Sequence, residues 1–259
     1  MRISFIGAGR VAHHLAHALK QQHQIVNIFS QGHVHAQQLA DAVGAAAVQS
    51  FTELSADIDL LLIAVSDSAI AQVVQAVHPQ LPDTLIAHTS GSTDIAKLAE
   101  AHSRAGVFYP LQTFSLERGI DWGSTPVFTE AAAPADLALL TELANSLSNR
   151  VYQYSSAQRL SLHLAAVYAC NFANYCYDMA KQITDEKQAD FSLLYPLILE
   201  TAQKALKADP KDIQTGPAMR GDHNIIAMHT RMLQQQQRTD LQQVYSLFSE
   251  QILSRHQQP

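Results

Sequence analysis

Arg2-Ile3-Ser4-Phe5-Ile6-Gly7-Ala8-Gly9-Arg10-Val11-Ala12 opens the chain, and its reading decides the fold. A short β-type apolar run passes through G-x-G-x-x-A into a helix-like segment, Val11 to Gln21. Each small residue has a physical reason to be there: Gly7 makes the tight turn, Gly9 lets a pyrophosphate approach the backbone, and Ala12 lets helix and strand pack closely. The amides at the helix start, with the positive end of the dipole, favour an anion. Arg10 adds a potential charge-assisted contact. An ordinary tight turn is the competing reading, and the rest of the chain weighs against it.

Outward from this stretch, apolar β-type runs recur at Ile25 to Phe29, Leu60 to Val65, Thr84 to Ala87, Gly106 to Tyr109 and Val151 to Tyr154. Helix-like segments follow at His33 to Val43, Ser68 to Val77, Asp94 to His102 and Ala135 to Leu147. Strands alternating with helices predict a parallel sheet wound on both faces. After Ser155 the pattern changes. Ala157 to Lys181 holds no proline or glycine and is apolar all round, as in a long helix buried in a bundle or subunit interface. Further helical stretches, Ala189 to Lys207 and Thr239 to Ser254, flank a segment with Pro210, Gly216, Pro217 and Gly221. The expected fold class is α/β: a Rossmann-type doubly wound domain over residues 1–155, then a separate all-helical domain over 156–259.

About 20 residues after the glycines, an NAD site would place an Asp or Glu on the ribose 2′-hydroxyl. Here the second strand ends Phe29-Ser30-Gln31-Gly32, and no carboxylate appears before Asp41. That leaves room for a 2′-phosphate, so NADP is favoured over NAD. Expected cofactor contacts are Gly7, Gly9, Arg10 and Val11 at the turn, Ser30 and Gln31 at the second strand, and Val65, Ser66 and Thr89 at later strand ends. Ser66 and Asp67 could equally cap the next helix. His88, at a strand end beside Ser90-Gly91, is a catalytic candidate with a structural role as its rival. Gln112 and Thr113, after the fifth of these runs, are candidates for substrate binding.

On the long helix, His163, Val167, Asn171, Asn174 and Asp178 are spaced four, four, three and four residues apart, which predicts one polar face. His163 is the expected proton donor or acceptor and Asn171 the orienting hydrogen-bond partner, with polar glue between helices as the alternative. Arg220, in Thr215 to Asp222, is a candidate for an anionic substrate or a partner for Asp222, which itself could cap the helix from His223. No metal is expected, because the histidines lack H-E-x-x-H spacing. No G-x-S-x-G nucleophile elbow is present either.

Composition narrows the partners. In 259 residues, 23 acidic against 17 basic side chains leave a net charge of −6, which repels a phosphate backbone. Nucleic acid is not an expected partner. The longest apolar stretch, Leu60 to Val65, is far short of the ~20 residues a membrane helix needs. Glycines and Arg10 interrupt the first apolar run too early for an export signal, so the mature chain is expected to start at Met1. Cys170 and Cys176 would lie ~9 Å apart on one helix, beyond the ~7 Å limit for a disulfide. A reduced, cytoplasmic protein is expected.

Five blocks in order, Gly7 to Ala12, His88 to Gly91, Tyr109 to Phe114, His163 with Asn171, and Thr215 to Pro217 with Arg220 to Asp222, resemble the family in which a Rossmann-like domain precedes domain of unknown function 2520. The resemblance covers nearly the whole chain. It implies a nucleotide domain, a helical domain through which two copies dimerise, and an NADP-dependent oxidoreductase of unassigned substrate, related by fold to hydroxyacid dehydrogenases, pyrroline-5-carboxylate reductases and deazaflavin-dependent NADP oxidoreductases. One departure stands out: β-hydroxyacid dehydrogenases carry a Lys one turn before the Asn, where this chain has Val167. The expected activity is hydride transfer between nicotinamide and a small carbonyl or imine held between the domains. A non-catalytic NADP-binding sensor and a deazaflavin-dependent oxidoreductase are the alternatives.

Overall fold

A computed structural model describes residues 1–257. Eight strands form one sheet: β1 (Arg2–Ile6), β2 (Gln24–Phe29), β3 (Ala46–Val48), β4 (Leu60–Ile63), β5 (Leu85–His88), β6 (Ala105–Pro110), β7 (Val127–Ala131) and β8 (Val151–Gln153). Their spatial order is β3-β2-β1-β4-β5-β6-β7-β8. All pairs are parallel except β6 with β7, which run antiparallel, Gly106 facing Ala131 and Pro110 facing Val127. The helices are α1 (Arg10–Leu19), α2 (His33–Val43), α3 (Ile70–Val77), α4 (Ala96–Ala99), α5 (Pro134–Asn145), α6 (Ser156–Ala166), α7 (Ala173–Glu186), α8 (Tyr195–Ala205), α9 (Pro217–Arg220), α10 (His223–Gln235) and α11 (Thr239–Gln257). The Rossmann-type sheet and the helical C-terminal region match the expected fold class.

Successive strand residues point to opposite faces. Ile3, Phe5, Leu60, Leu62 and Ala87 therefore pack on one side with Leu15 of α1, Leu39 of α2 and Leu140 of α5. Ile6, Leu61, Ile63 and Ile86 pack on the other with Ile70 and Val74 of α3 and Leu98 of α4. Burial on both faces explains why these strands read as unbroken apolar runs. Two strands escaped the sequence reading. β3 is only Ala46-Ala47-Val48, and β7 carries Thr129 and Glu130 between Pro126 and Pro134, so it reads as a connection. The expected helix Asp94 to His102 keeps α-geometry over Ala96–Ala99 alone, tightened at its ends by Lys97 N–H to Asp94 O and Ala101 N–H to Leu98 O.

By contacts the chain divides into two compact units, Met1–Asn171 and the residues from Phe172 on. Sequence character changes at 156, whereas this division falls further along, because α6 is anchored to the sheet: Leu162 packs with Val107, Tyr109 and Phe128. The expected uninterrupted helix contains a π-helical segment, Val167–Phe172, between α6 and α7. Within the second unit, Met179, Leu233 and Leu241 form a small core with Cys176, Val244 and Tyr245. Asp222 caps α10, accepting from the Ile225 amide at 3.2 Å. No helix among the described residues is long and apolar enough to cross a membrane.

Candidate active site

The sheet's order reverses at β1, which pairs with β2 on one side and β4 on the other. Ligands in open α/β sheets lie at such a crevice, beyond the carboxyl ends of the strands. A cleft of about 830 Å³ opens there.

Its floor is the first turn. Gly7 has φ +108°, and its amide donates to Phe29 O at 2.7 Å. A Cβ on Gly7 would lie 2.1 Å from the Ala64 carbonyl oxygen, so both backbone angle and space demand glycine. Gly9 differs. Its φ of −80° suits any residue, and a Cβ there would meet nothing within 4 Å. Gly9 precedes α1, which has neither a side-chain cap nor an acidic residue in its first turn. The helix thus offers uncapped amides to the cleft, a cradle suited to phosphate.

Gly7, Gly9, Arg10, Val11, Ser30, Gln31, Val65, Ser66 and Thr89, all expected as cofactor contacts, line this cleft. Ser66 does not cap the following helical turn. Asp67, the cleft's one carboxylate, instead accepts a short hydrogen bond from the Ser92 hydroxyl. Phe29 and Phe51, packed with ring centroids 4.5 Å apart, supply an apolar wall.

At the far end stand Tyr109 and His163, with the Tyr109 hydroxyl 3.1 Å from His163 Nδ1. Burial pushes the Tyr109 phenol up to about 12, an effect that nearby Arg159 opposes and Asp67 reinforces. Gly91 is pressed against this pair: a Cβ there would lie 2.5 Å from His163 Nδ1 and 2.8 Å from the Tyr109 hydroxyl. Gln112 also lines the cleft, its amide 3.4 Å from Thr125 Oγ1. Thr113 is exposed and outside the lining, its amide donating to Gln112 Oε1 at 2.8 Å.

Two expected catalytic residues stand elsewhere. His88 is fully buried behind the lining. Its Nδ1 accepts from the Ser90 amide at 3.1 Å, leaving Nε2 without a partner. Burial, reinforced by Arg159, drives its pKa down to about 3, so the ring stays neutral and out of proton exchange near neutral pH. His88, a catalytic candidate by its place at a strand end, thus sits behind the cleft and not among the residues that line it. Asn171 is exposed in the π-helical segment and does not line the cleft. A π-turn bonds i to i+5, so it breaks the α-helical phase on which the polar stripe from His163 to Asp178 was built. Arg220 lies exposed on α9 in the second unit. Among the described residues no group of three or more His, Cys, Asp or Glu could hold a metal.

Sequence reasoning missed Arg159. It is 1% exposed, pairs with Glu130 at 2.5 Å, and donates to Ser90 O at 3.2 Å and to Thr93 O. It ties α6 to the loop carrying Gly91. The available signal was a lone cation four residues before His163 on an apolar helix, one turn apart on the same face.

A Rossmann-like domain model matches residues 1–112 and domain of unknown function 2520 matches residues 125–252. A protein from Bacteroides fragilis described as a "putative NADP oxidoreductase" is 39% identical, with 98% of each chain covered and a TM-score of 0.91. A Thermotoga maritima protein (21% identity, 98% of each chain, TM-score 0.71) and an imine reductase from Myxococcus stipitatus in complex with NADP+ (15% identity, 97% of this chain and 93% of that one, TM-score 0.68) share the fold. No curated protein matches. With its turn, crevice and two domain matches in this order, the chain belongs to the family in which a Rossmann-like domain is followed by domain of unknown function 2520.

Proposed function

We propose that the protein is an NADP-dependent oxidoreductase acting on a small carbonyl or imine. The observation that carries this reading is the turn at Gly9: open space above a glycine with ordinary φ, at the start of an uncapped helix. Nothing in the chain requires glycine there, whereas a pyrophosphate against the backbone would. The 39% identical relative described as a "putative NADP oxidoreductase" supports the same reading. A bound nicotinamide nucleotide would supply or accept a hydride. Gly7, Gly9 and Val11 would hold its phosphates, with Arg10 adding charge, and Ser30 and Gln31 would face the ribose 2′-substituent. The cleft's carboxylate is Asp67, after β4, so no acidic side chain at the β2 end selects for NAD. His163 would hydrogen-bond the reacting polar atom and exchange a proton with it.

Calorimetry with NADPH and NADH tests the assignment. NADPH is expected to bind more tightly, and absence of binding by either nucleotide would overturn it. The cleft lining holds no lysine, which also leaves a nucleotide-sensing role without catalysis as a second reading. Steady NADPH consumption with a panel of carbonyls and imines would exclude that role. The reading extends to a cytoplasmic homodimer joined through its helical region, with Cys170 and Cys176 as free thiols.

A further inference from the structure

Strand, loop and helix converge on one hydrogen bond in the cleft, Tyr109 Oη to His163 Nδ1 at 3.1 Å. The phenol keeps its proton throughout the neutral range because burial holds its pKa near 12. A neutral phenol is a stronger hydrogen-bond donor than acceptor, and a neutral imidazole nitrogen is a good acceptor, so the favoured arrangement at 3.1 Å has Tyr109 donating to Nδ1. A neutral imidazole carries one proton, and with Nδ1 accepting from Tyr109 that proton is on Nε2. Gly91 leaves room for this pair, since a Cβ there would lie 2.5 Å from Nδ1. The Gly91 loop is itself held by Arg159, one turn before His163, through Ser90 O and Thr93 O.

We propose that Tyr109 is a positioning residue that holds His163 as the Nε2–H tautomer, so that the cleft offers a hydrogen-bond donor to a ligand bearing an open lone pair. The class selected is a carbonyl oxygen or an unprotonated imine nitrogen. An iminium, or an alcohol presenting its O–H, is disfavoured, because Nε2 in this state has no lone pair to accept. The substrate class rests on the nicotinamide reading; the tautomer does not.

The test is nuclear magnetic resonance of 15N-histidine-labelled protein in mildly alkaline buffer, with the His163 signals assigned by their loss in His163→Gln. Wild type is expected to show a protonated Nε2 and an Nδ1 signal displaced by an accepted hydrogen bond. In Tyr109→Phe that Nδ1 signal should move toward the value of a free imidazole nitrogen, with the Nδ1–H form becoming populated. Gly91→Ala, which crowds the same pair, provides a second perturbation and should displace the signal too. An Nδ1–H ring in wild type, or a His163 spectrum unchanged in Tyr109→Phe, would overturn the proposal. Wild-type calorimetry with NADPH separates the two readings: a fixed Nε2–H tautomer without nucleotide binding would sustain the positioning and remove the nicotinamide assignment.

Discussion

At the scale of single residues, the two glycines of the opening turn look alike in sequence but answer to different constraints. Gly7 is required by the chain, through its φ of +108° and the Ala64 carbonyl in its path. Gly9 is required by nothing in the chain. Gly7→Ala should therefore destabilise the fold by about 2 kcal/mol or more, from backbone strain plus overpacking. Gly9→Ala should melt close to wild type yet bind NADPH at least about tenfold more weakly, a loss of about 1.4 kcal/mol. Thermal melts and calorimetry on both variants check this, and undiminished affinity in Gly9→Ala would remove the pyrophosphate from the turn. Much of this was legible in the sequence, because a backbone-driven motif is local. Tyr109, Gly91 and His163 were each visible within their own segments, but their mutual contact was not. Residues 109 and 163 meet only after β6 and α6 pack together, a relation that spacing along the chain does not encode.

At the scale of elements, the loop after β5 and helix α6 form one anchored structure. Glu130 of β7 accepts from Arg159 at 2.5 Å and from the Ser156 hydroxyl at 2.8 Å, and the Ser156 hydroxyl accepts from the Ile95 amide at 3.0 Å. Replacing one member of such a buried pair leaves its partner's charge uncompensated. His88 sits beside this arrangement and makes it acid-sensitive. Its pKa falls from 6.5 in the unfolded chain to about 3 in the fold, so the unfolded state takes up the proton first. The stability it contributes is complete above pH 6.5 and is lost as pH falls toward 3, a total on the order of 5 kcal/mol at about 1.4 kcal/mol per unit. His88→Leu loses the acceptor for the Ser90 amide but also removes an unpartnered buried N–H, terms of about 1 kcal/mol each and opposite sign. Its melting temperature should lie near wild type at pH 8 and decline less on acidification. Parallel pH profiles for the two proteins would exclude His88 as the source. The strand pattern alone leaves His88 open between a catalytic and a structural role, since neither its burial nor Arg159 can be read from it. The π-helical segment was equally hidden: Val167–Phe172 contains no proline or glycine to announce a change of helical pitch.

At the scale of the whole molecule, the two units differ in how completely they bury their apolar residues. In the first, strands β1, β4 and β5 are buried on both faces. In the second, the clustered core is Met179, Leu233 and Leu241, while Leu193, Leu197, Leu199 and Leu206 are 71%, 62%, 58% and 86% exposed. Covering a leucine fully is worth about 1.5–3 kcal/mol, so four such side chains left in water represent a large unused driving force. These exposed side chains supply apolar surface for association with another chain. A second copy is the occupant proposed above, consistent with the dimer that the family resemblance implies. Sedimentation velocity should then give a dimer, and Leu197→Asp combined with Leu193→Asp should shift it to monomer. Because both positions are exposed in the single chain, the monomeric variant should keep the helical circular dichroism of wild type. A wild-type chain that sediments as a monomer across a wide concentration range would reject self-association and leave these helices to a different partner.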